Sequence, residues 1–236
     1  MPRPSQLLAT ATTPEGPLCL YQQPNGQYTI LVGGRMLMNS AARRSEEALA
    51  RLGCAGLAGR ARPRVLVGGL GMGLTLRATL DELGPDAQVV VAELNPEILS
   101  WNETLLAPLN GGAASDPRVT HRIGDVAQLI SEAQDGEYDT ILLDLYEGPR
   151  MDFHGVDHPL YGLAALQRSR RALKRPGVLA IWSEERDASF EATFRRAGFA
   201  VRTEQVSAGG GGWRHVIYLG ETALPAKTAN KPRALP

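Results

Sequence analysis

Apolar residues in this chain gather into short runs separated by turn residues and amphipathic stretches. Val65-Leu66-Val67, Gln88–Glu93, Tyr138–Asp144 and Val178–Trp182 are close to continuously apolar, the pattern of strands covered on both faces of a parallel sheet. Arg118–Ile123 is a weaker run of the same kind. Helical spacing fills the intervals. Leu74 to Leu83 has Leu76, Leu80 and Leu83 on one face, and helices are predicted over Ser45–Leu57, Pro96–Leu106, a segment from Asp125 to Ala133, Tyr161–Lys174 and Ala188–Ala197. Ala200–Val206 and Trp213–Leu219 read as two last strands with no helix between them, so that pair is expected to be antiparallel. Strands alternating with helices predict an α/β fold: a Rossmann-like, doubly wound, mostly parallel seven-stranded sheet.

The N-terminal part follows another rhythm. Leu18–Gln22 and Gln27–Val32 alternate as strands across Pro24-Asn25-Gly26, and Gly33-Gly34 leads into a short strand over Arg35–Met38. Residues 1–16, rich in Pro, Thr and Ala, are expected to be loose. The division predicted is a β-hairpin appendage over 1–44, the Rossmann-like domain over 45–220 and a disordered tail over 221–236. The appendage is too small to hold a core and must lean on the main domain or on a second subunit.

Composition narrows the field. The 236 residues carry 25 Lys+Arg and 25 Asp+Glu, so no excess of positive charge points to nucleic acid. Two cysteines, Cys19 and Cys54, lack metal-like spacing and fit a reducing compartment; no metal is expected. No apolar run reaches the length of a membrane span, and Met1-Pro-Arg-Pro-Ser lacks the apolar core of a signal peptide. A cytoplasmic protein free of membrane and nucleic acid is the expectation.

The chemistry concentrates after the first strand of the sheet. Gly68, Gly69, Gly71 and Gly73 let a ligand approach the backbone, and the helix that follows points its N-terminus at the same place. Glu93 closes the next strand about 20 residues after the last glycine, the spacing at which an acid reaches ribose hydroxyls. Asn95-Pro96 supplies a cap and a first-turn proline, and Asp125 is placed as an N-cap. The glycine loop, Glu93, Asp125, Asp144 and the loop from Glu147 to Pro159 all fall at the carboxyl ends of strands, where open α/β sheets bind ligands.

At these residues the chain resembles the spermidine synthase family, within the S-adenosylmethionine-dependent methyltransferase superfamily. The resemblance runs from Leu18 to Leu219. The segment from Gly68 to Arg77 is similar to the family's Gly-Gly-Gly-Asp-Gly-Gly-x-x-Arg loop, and Val91-Ala-Glu93 resembles the strand end that holds the ribose. Asp116-Pro-Arg-Val119 with Gly124-Asp125 resembles an element whose second Asp meets the adenine amino group. Tyr138 to Pro149 is similar to Tyr-Asp-x-Ile-x-x-Asp-Ser-Ser-Asp-Pro, and Gly212-Trp213 to a tryptophan near the C-terminal strand. The resemblance implies a donor site over Gly69, Leu70, Gly71, Met72, Gly73, Glu93, Leu94, Asp125, Val126 and Asp144. It also implies a homodimer and a small-molecule acceptor, an amine.

Three departures accompany it. Met72 stands where the family has an Asp that holds the ammonium of decarboxylated S-adenosylmethionine, and putrescine methyltransferases resemble spermidine synthases that lost this Asp. Met72 therefore favours methyl transfer from intact S-adenosylmethionine over aminopropyl transfer from the decarboxylated form. Ser45-Glu46-Glu47 replaces Tyr-His-Glu of the amine pocket, with Glu47 as the match, and Leu145-Tyr146-Glu147 replaces Ser-Ser-Asp. Alkylating an amine requires its lone pair, so a base is needed. Asp144 is expected to orient or deprotonate the acceptor and Glu147 to hold a cationic end. Tyr146, His154, His158 and Tyr161 belong to a loop that closes over the acceptor, and Trp182 and Trp213 are candidate walls. His215, alternating with apolar residues, reads as structural. Two other classes stay open: a nicotinamide-dependent oxidoreductase, disfavoured by glycine spacing, and a non-catalytic nucleoside-binding protein.

Overall fold

A computed structural model of the chain describes residues 5–146, 148–149, 157–209 and 214–222. Four antiparallel strands come first: β1 (Gln6–Thr13), β2 (Gly16–Gln22), β3 (Tyr28–Val32) and β4 (Arg35–Asn39), paired in chain order. After α1 (Arg44–Cys54) come β5 (Arg64–Gly68), α2 (Leu74–Glu82), β6 (Gln88–Glu93), α3 (Pro96–Glu103), α4 (Ala107–Asn110), β7 (Val119–Ile123), α5 (Val126–Glu132) and β8 (Tyr138–Leu143). Then follow α6 (Leu163–Ala172), β9 (Leu173–Ser183), α7 (Ala188–Arg196), β10 (Ala200–Ser207) and β11 (Arg214–Glu221). The second sheet has the order β10-β11-β9-β8-β5-β6-β7. Its β7-β6-β5-β8-β9 part is parallel, and β11 pairs antiparallel with both β9 and β10.

The alternation along each central strand decides what covers it. Val65, Val67, Val89, Val91, Leu142, Ala180 and Ile217 point to one face, where α1, α2 and α3 supply Leu49, Leu76, Leu80 and Ile98. Leu66, Val90, Ile141, Leu143, Leu179, Ile181 and Tyr218 point to the other, against Val126, Ile130, Leu166, Phe190 and Phe194 of α5, α6 and α7. The sheet is thus buried on both sides, as near-continuous apolar runs require. The small sheet shares the first of these cores, where Leu18, Leu20, Ile30 and Val32 are buried in the same cluster as Leu49 and Met72.

Residues 6–13 correct the expectation of a loose N-terminus. They form β1 and pair with β2 around Pro14-Glu15-Gly16, with Leu8, Ala9 and Ala11 packed on the core. The side chains are too small for strong hydrophobic periodicity, but alternating threonines favour extended backbone. The helix predicted over 96–106 also divides: Pro108 has no N–H to donate to Thr104, so the chain restarts as α4. Among the described residues no helix is long and apolar enough to cross a membrane.

One buried ionic cluster ties the far end of the sheet together. Asp139 of β8 accepts from the Arg64 backbone N–H and from Lys174 Nζ, both at 2.7 Å, and pairs with Arg60. Burial alone would raise the Asp139 pKa, but these three donors outweigh it and hold the carboxyl below its ordinary range. Its contribution to stability is therefore complete above the unfolded-state value, about 4, and is lost as pH falls through the lowered folded-state value. Asp139→Asn is expected to cost about 3 kcal/mol at neutral pH in urea unfolding, with the deficit shrinking toward strongly acid pH.

Candidate functional site

The site lies where the sheet reverses direction. From β5 the chain steps outward to β6 and β7, then returns to the other side of β5 for β8, so the two crossovers leave a crevice at the carboxyl ends of β5 and β8. Asp144 N–H donates to Gly68 O at 2.9 Å, holding these ends together. Gly69 has φ +89°, and a Cβ there would lie 2.2 Å from the Asp144 carbonyl oxygen, so only glycine fits. Gly73 (φ +76°) is wedged between the buried amides of Asn102 and Asn110. Those asparagines clamp the loop from behind: Asn102 donates to Gly71 O at 2.8 Å, and Asn110 donates to Met72 O at 3.1 Å and to Asn102 Oδ1 at 2.8 Å. From the front, Glu93 accepts the Leu70 and Asn95 N–H groups, one on each oxygen, both at 2.9 Å.

The crevice opens into a cavity of about 520 Å³. Met36 to Asn39 of β4 wall one side; Gly69, Gly71, Glu93, Leu94, Asn95 and Ile98 form another; Asp144 to Tyr146, Trp182, Glu184, His215 and Glu46 complete it. Four of these residues carry carboxylates, Glu46, Glu93, Asp144 and Glu184, and none of the described lining residues is Lys or Arg.

Glu46 and Asp144 set the electrostatics. Burial pushes the Glu46 carboxyl well above its usual range, and the neighbouring Asp144 charge pushes it further. Burial likewise raises Asp144, against a lowering hydrogen bond of 2.6 Å from the Thr75 hydroxyl. Two coupled carboxyls in one cavity share protons until a cation arrives. Ser45 Oγ donates to Glu46 Oε2 at 2.6 Å and lies 2.9 Å from His215 Nδ1, and the His215 ring packs edge-on to Trp182 with centroids 4.7 Å apart.

The structure brings together Gly69, Gly71, Glu93, Leu94, Asp144 and Tyr146 of the residues singled out from sequence. It separates others. The Met72 side chain is fully buried in the core, not facing the cavity, so its exchange for Asp says nothing about which donor fits. The Met72 N–H, the backbone group expected to welcome a donor carboxylate, donates to Met38 Sδ at 3.2 Å. Leu70 and Val126 are also core residues. Asp125 caps α5, accepting from Ala127 N–H at 2.8 Å, and lines a separate cavity of about 180 Å³ with Arg122, Ile123 and Gly124. His158 accepts the Leu160 and Tyr161 N–H groups on Nδ1 and stacks on Tyr161 at 4.8 Å, which makes it part of a turn. Asn95 makes no side-chain cap. Glu147, His154 and Trp213 lie outside the described residues.

The two glutamates on α1, of which sequence matching paired Glu47 with the amine pocket, face different ways. Glu47 is exposed and pairs with Arg43 at 3.3 Å, while Glu46 enters the cavity. The signal was present: Glu46 stands three, four and seven positions before buried Leu49, Ala50 and Gly53, whereas Glu47 shares its face with exposed Arg51. His215, read as structural, lines the cavity as well.

A carboxyl with a raised folded-state pKa adds stability only while protonated, and that stability is lost as pH rises through the raised value. Glu46→Gln is therefore expected to melt roughly 2–4 °C above the wild type at pH 9 and to lose that gain near pH 4. Glu47→Gln is expected to match the wild type throughout. Thermal unfolding across pH checks both, and equal melting of the two variants at pH 9 would place the strain elsewhere.

No family model matches the chain. Curated relatives do, over part of its length. A polyamine aminopropyltransferase of Corynebacterium efficiens is 40% identical over 92 residues, 38% of this chain and 17% of that protein. The polyamine aminopropyltransferase of Prochlorococcus marinus is 28% identical over 130 residues, 55% of this chain and 44% of that protein. The matched stretches thus span less than half the length of these relatives. In fold, spermidine synthase from Thermotoga maritima superposes with a TM-score of 0.71 over 93% of this chain and 74% of that chain, at 18% identity. Spermidine synthase in complex with the transition-state analogue AdoDATO superposes with a TM-score of 0.71 over 93% of this chain and 73% of that one, also at 18% identity. The chain is thus similar in part of its sequence to polyamine aminopropyltransferases and shares the fold of spermidine synthases over nearly its whole length.

Proposed function

We propose that this protein is an aminopropyltransferase that moves the aminopropyl group of decarboxylated S-adenosylmethionine to a small amine. The observation that carries this reading is the lining of the cavity: the buried carboxyls of Glu46 and Asp144 beside Glu93 and, among the described lining residues, no lysine or arginine. Buried carboxylates are costly unless a cation meets them. The decarboxylated donor brings two positive groups, a sulfonium and an ammonium, and an amine acceptor brings more. The intact donor adds a carboxylate, which would face Glu46, Glu93, Asp144 and Glu184 with the Met72 N–H already engaged by Met38. The names of the relatives support the same choice. Methyl transfer, expected from Met72 alone, loses its basis because that side chain is in the core.

In this reading the acceptor nitrogen attacks the aminopropyl carbon bound to sulfur. The new C–N bond forms as the C–S bond breaks, and the sulfur leaves as a neutral thioether. A primary ammonium must shed one proton before attack, and the secondary ammonium that forms keeps its protons near neutral pH. Asp144 is the acceptor for that proton: it stands at the end of β8, it is oriented by Thr75, and its raised pKa suits a base working near neutral pH. Glu93, already bracing the loop, keeps a free lone pair on each oxygen for ribose hydroxyls. Holding both partners in line supplies much of the rate, on the order of 7–11 kcal/mol in favourable systems.

Calorimetric titration with the two donors separates the readings. The decarboxylated donor is expected to bind at least tenfold more tightly than the intact one, and Met38→Ala, which frees the Met72 N–H, is expected to narrow the gap. Preference for the intact donor would overturn the assignment.

A further inference from the structure

Ser45 is the second residue of α1, whose N-cap position is held by Arg43, so its hydroxyl is not committed to a backbone cap. The hydroxyl instead donates to the carboxylate of the next residue, Glu46, at 2.6 Å, although adjacent residues on a helix do not normally face each other. The same oxygen lies 2.9 Å from Nδ1 of His215, which comes from β11, a strand that α1 packs against. Ser45 is fully buried and Glu46 nearly so.

With the Glu46 carboxyl ionised, as when an ammonium meets it, proton counting gives the direction of this chain. A hydroxyl has one proton, and Ser45 then spends it on Glu46, so His215 donates from Nδ1 to the serine oxygen. A neutral imidazole carries a single N–H, which assigns Nδ1–H and leaves Nε2 unprotonated. Burial lowers the His215 pKa and so favours the neutral ring, which is also packed edge-on against Trp182. The charged or titratable groups around Glu46 are then Asp144 across the cavity, Glu47 on its own helix and His215 through Ser45.

We propose that His215 and Ser45 are positioning residues that hold the Glu46 carboxylate turned into the cavity toward Asp144, forming a two-carboxylate cradle for a primary alkylammonium. The inference rests on the reading of this cavity as an amine-accepting site, and it adds the two residues that orient Glu46 within it. A quaternary ammonium would be a poorer ligand for its lack of N–H donors.

The test is calorimetric titration of the full chain with 1,4-diaminobutane and, separately, with decarboxylated S-adenosylmethionine. Ser45→Ala and His215→Phe are expected to weaken the diamine about tenfold, the size of one charge-assisted hydrogen bond, and the donor by a smaller factor. His215→Asn, whose amide N–H can stand in for Nδ1–H, is expected to recover most of the loss. The ¹⁵N imidazole spectrum of the diamine-bound wild type is expected to report Nδ1–H. Three results would overturn the proposal: His215→Asn as weak as His215→Phe, diamine affinity unmoved by all three variants, or the opposite tautomer. A diamine pattern as expected with no donor binding would sink the transferase reading and leave the cradle standing. Donor binding with no effect on the diamine would do the reverse.

Discussion

Two carboxyl groups, Glu46 and Asp144, share a cavity in which the chain supplies them no cation among the described lining residues. That unmet charge is the constraint on which the rest of the site depends. Left alone, the pair takes up protons at a pH where carboxyls are ordinarily ionised, because burial and mutual repulsion disfavour the second negative charge. A cationic ligand removes the penalty. Stability held back in the empty site becomes affinity when the ligand binds, the trade seen where function requires groups that folding alone would not choose. The Asp139 cluster at the other end of β8 shows the contrast. There a buried carboxylate meets Arg60, Lys174 and a backbone N–H, and its pKa falls.

Rigid elements hold the pair in place. Asp144 follows the end of β8, in the centre of a sheet buried on both faces, and Thr75 of α2 fixes its side chain. Glu46 stands on the first turn of α1, whose apolar face packs on β8 and β9. The glycine loop between them is clamped by Asn102 and Asn110 on one side and by Glu93 on the other. The small N-terminal sheet is part of the same body: it shares the core beneath α1 and brings Met36 to Asn39 to the cavity wall.

Much of this was legible in the sequence. Seven strands, their parallel and antiparallel pairings, and the gathering of Gly69, Glu93 and Asp144 at the carboxyl ends follow from apolar runs and turn residues, because period and burial are coupled along a strand. Other features escaped for definite reasons. Strand β1 is built from alanine and threonine, whose alternation carries little hydrophobic contrast. Met72 was judged by its place in a motif, yet a position in a loop does not say which way the side chain points, and this one points into the core. Motif matching paired Glu47 with the amine pocket without using the helical face that Leu49 and Ala50 define, which is the face that Glu46 shares. The link from His215 through Ser45 joins residues 170 positions apart, which no local pattern contains. Asp125 shows the opposite case, since the local reading as an N-cap describes its observed bond.

The chemistry of transfer is the central claim, and the product reports it most directly. The purified chain would be incubated with 1,4-diaminobutane and an equimolar mixture of intact and decarboxylated S-adenosylmethionine, and the amine recovered and weighed by mass spectrometry. The account predicts a diamine heavier by one aminopropyl group, with the decarboxylated donor consumed. A diamine heavier by one methyl group, with the intact donor consumed, would contradict it.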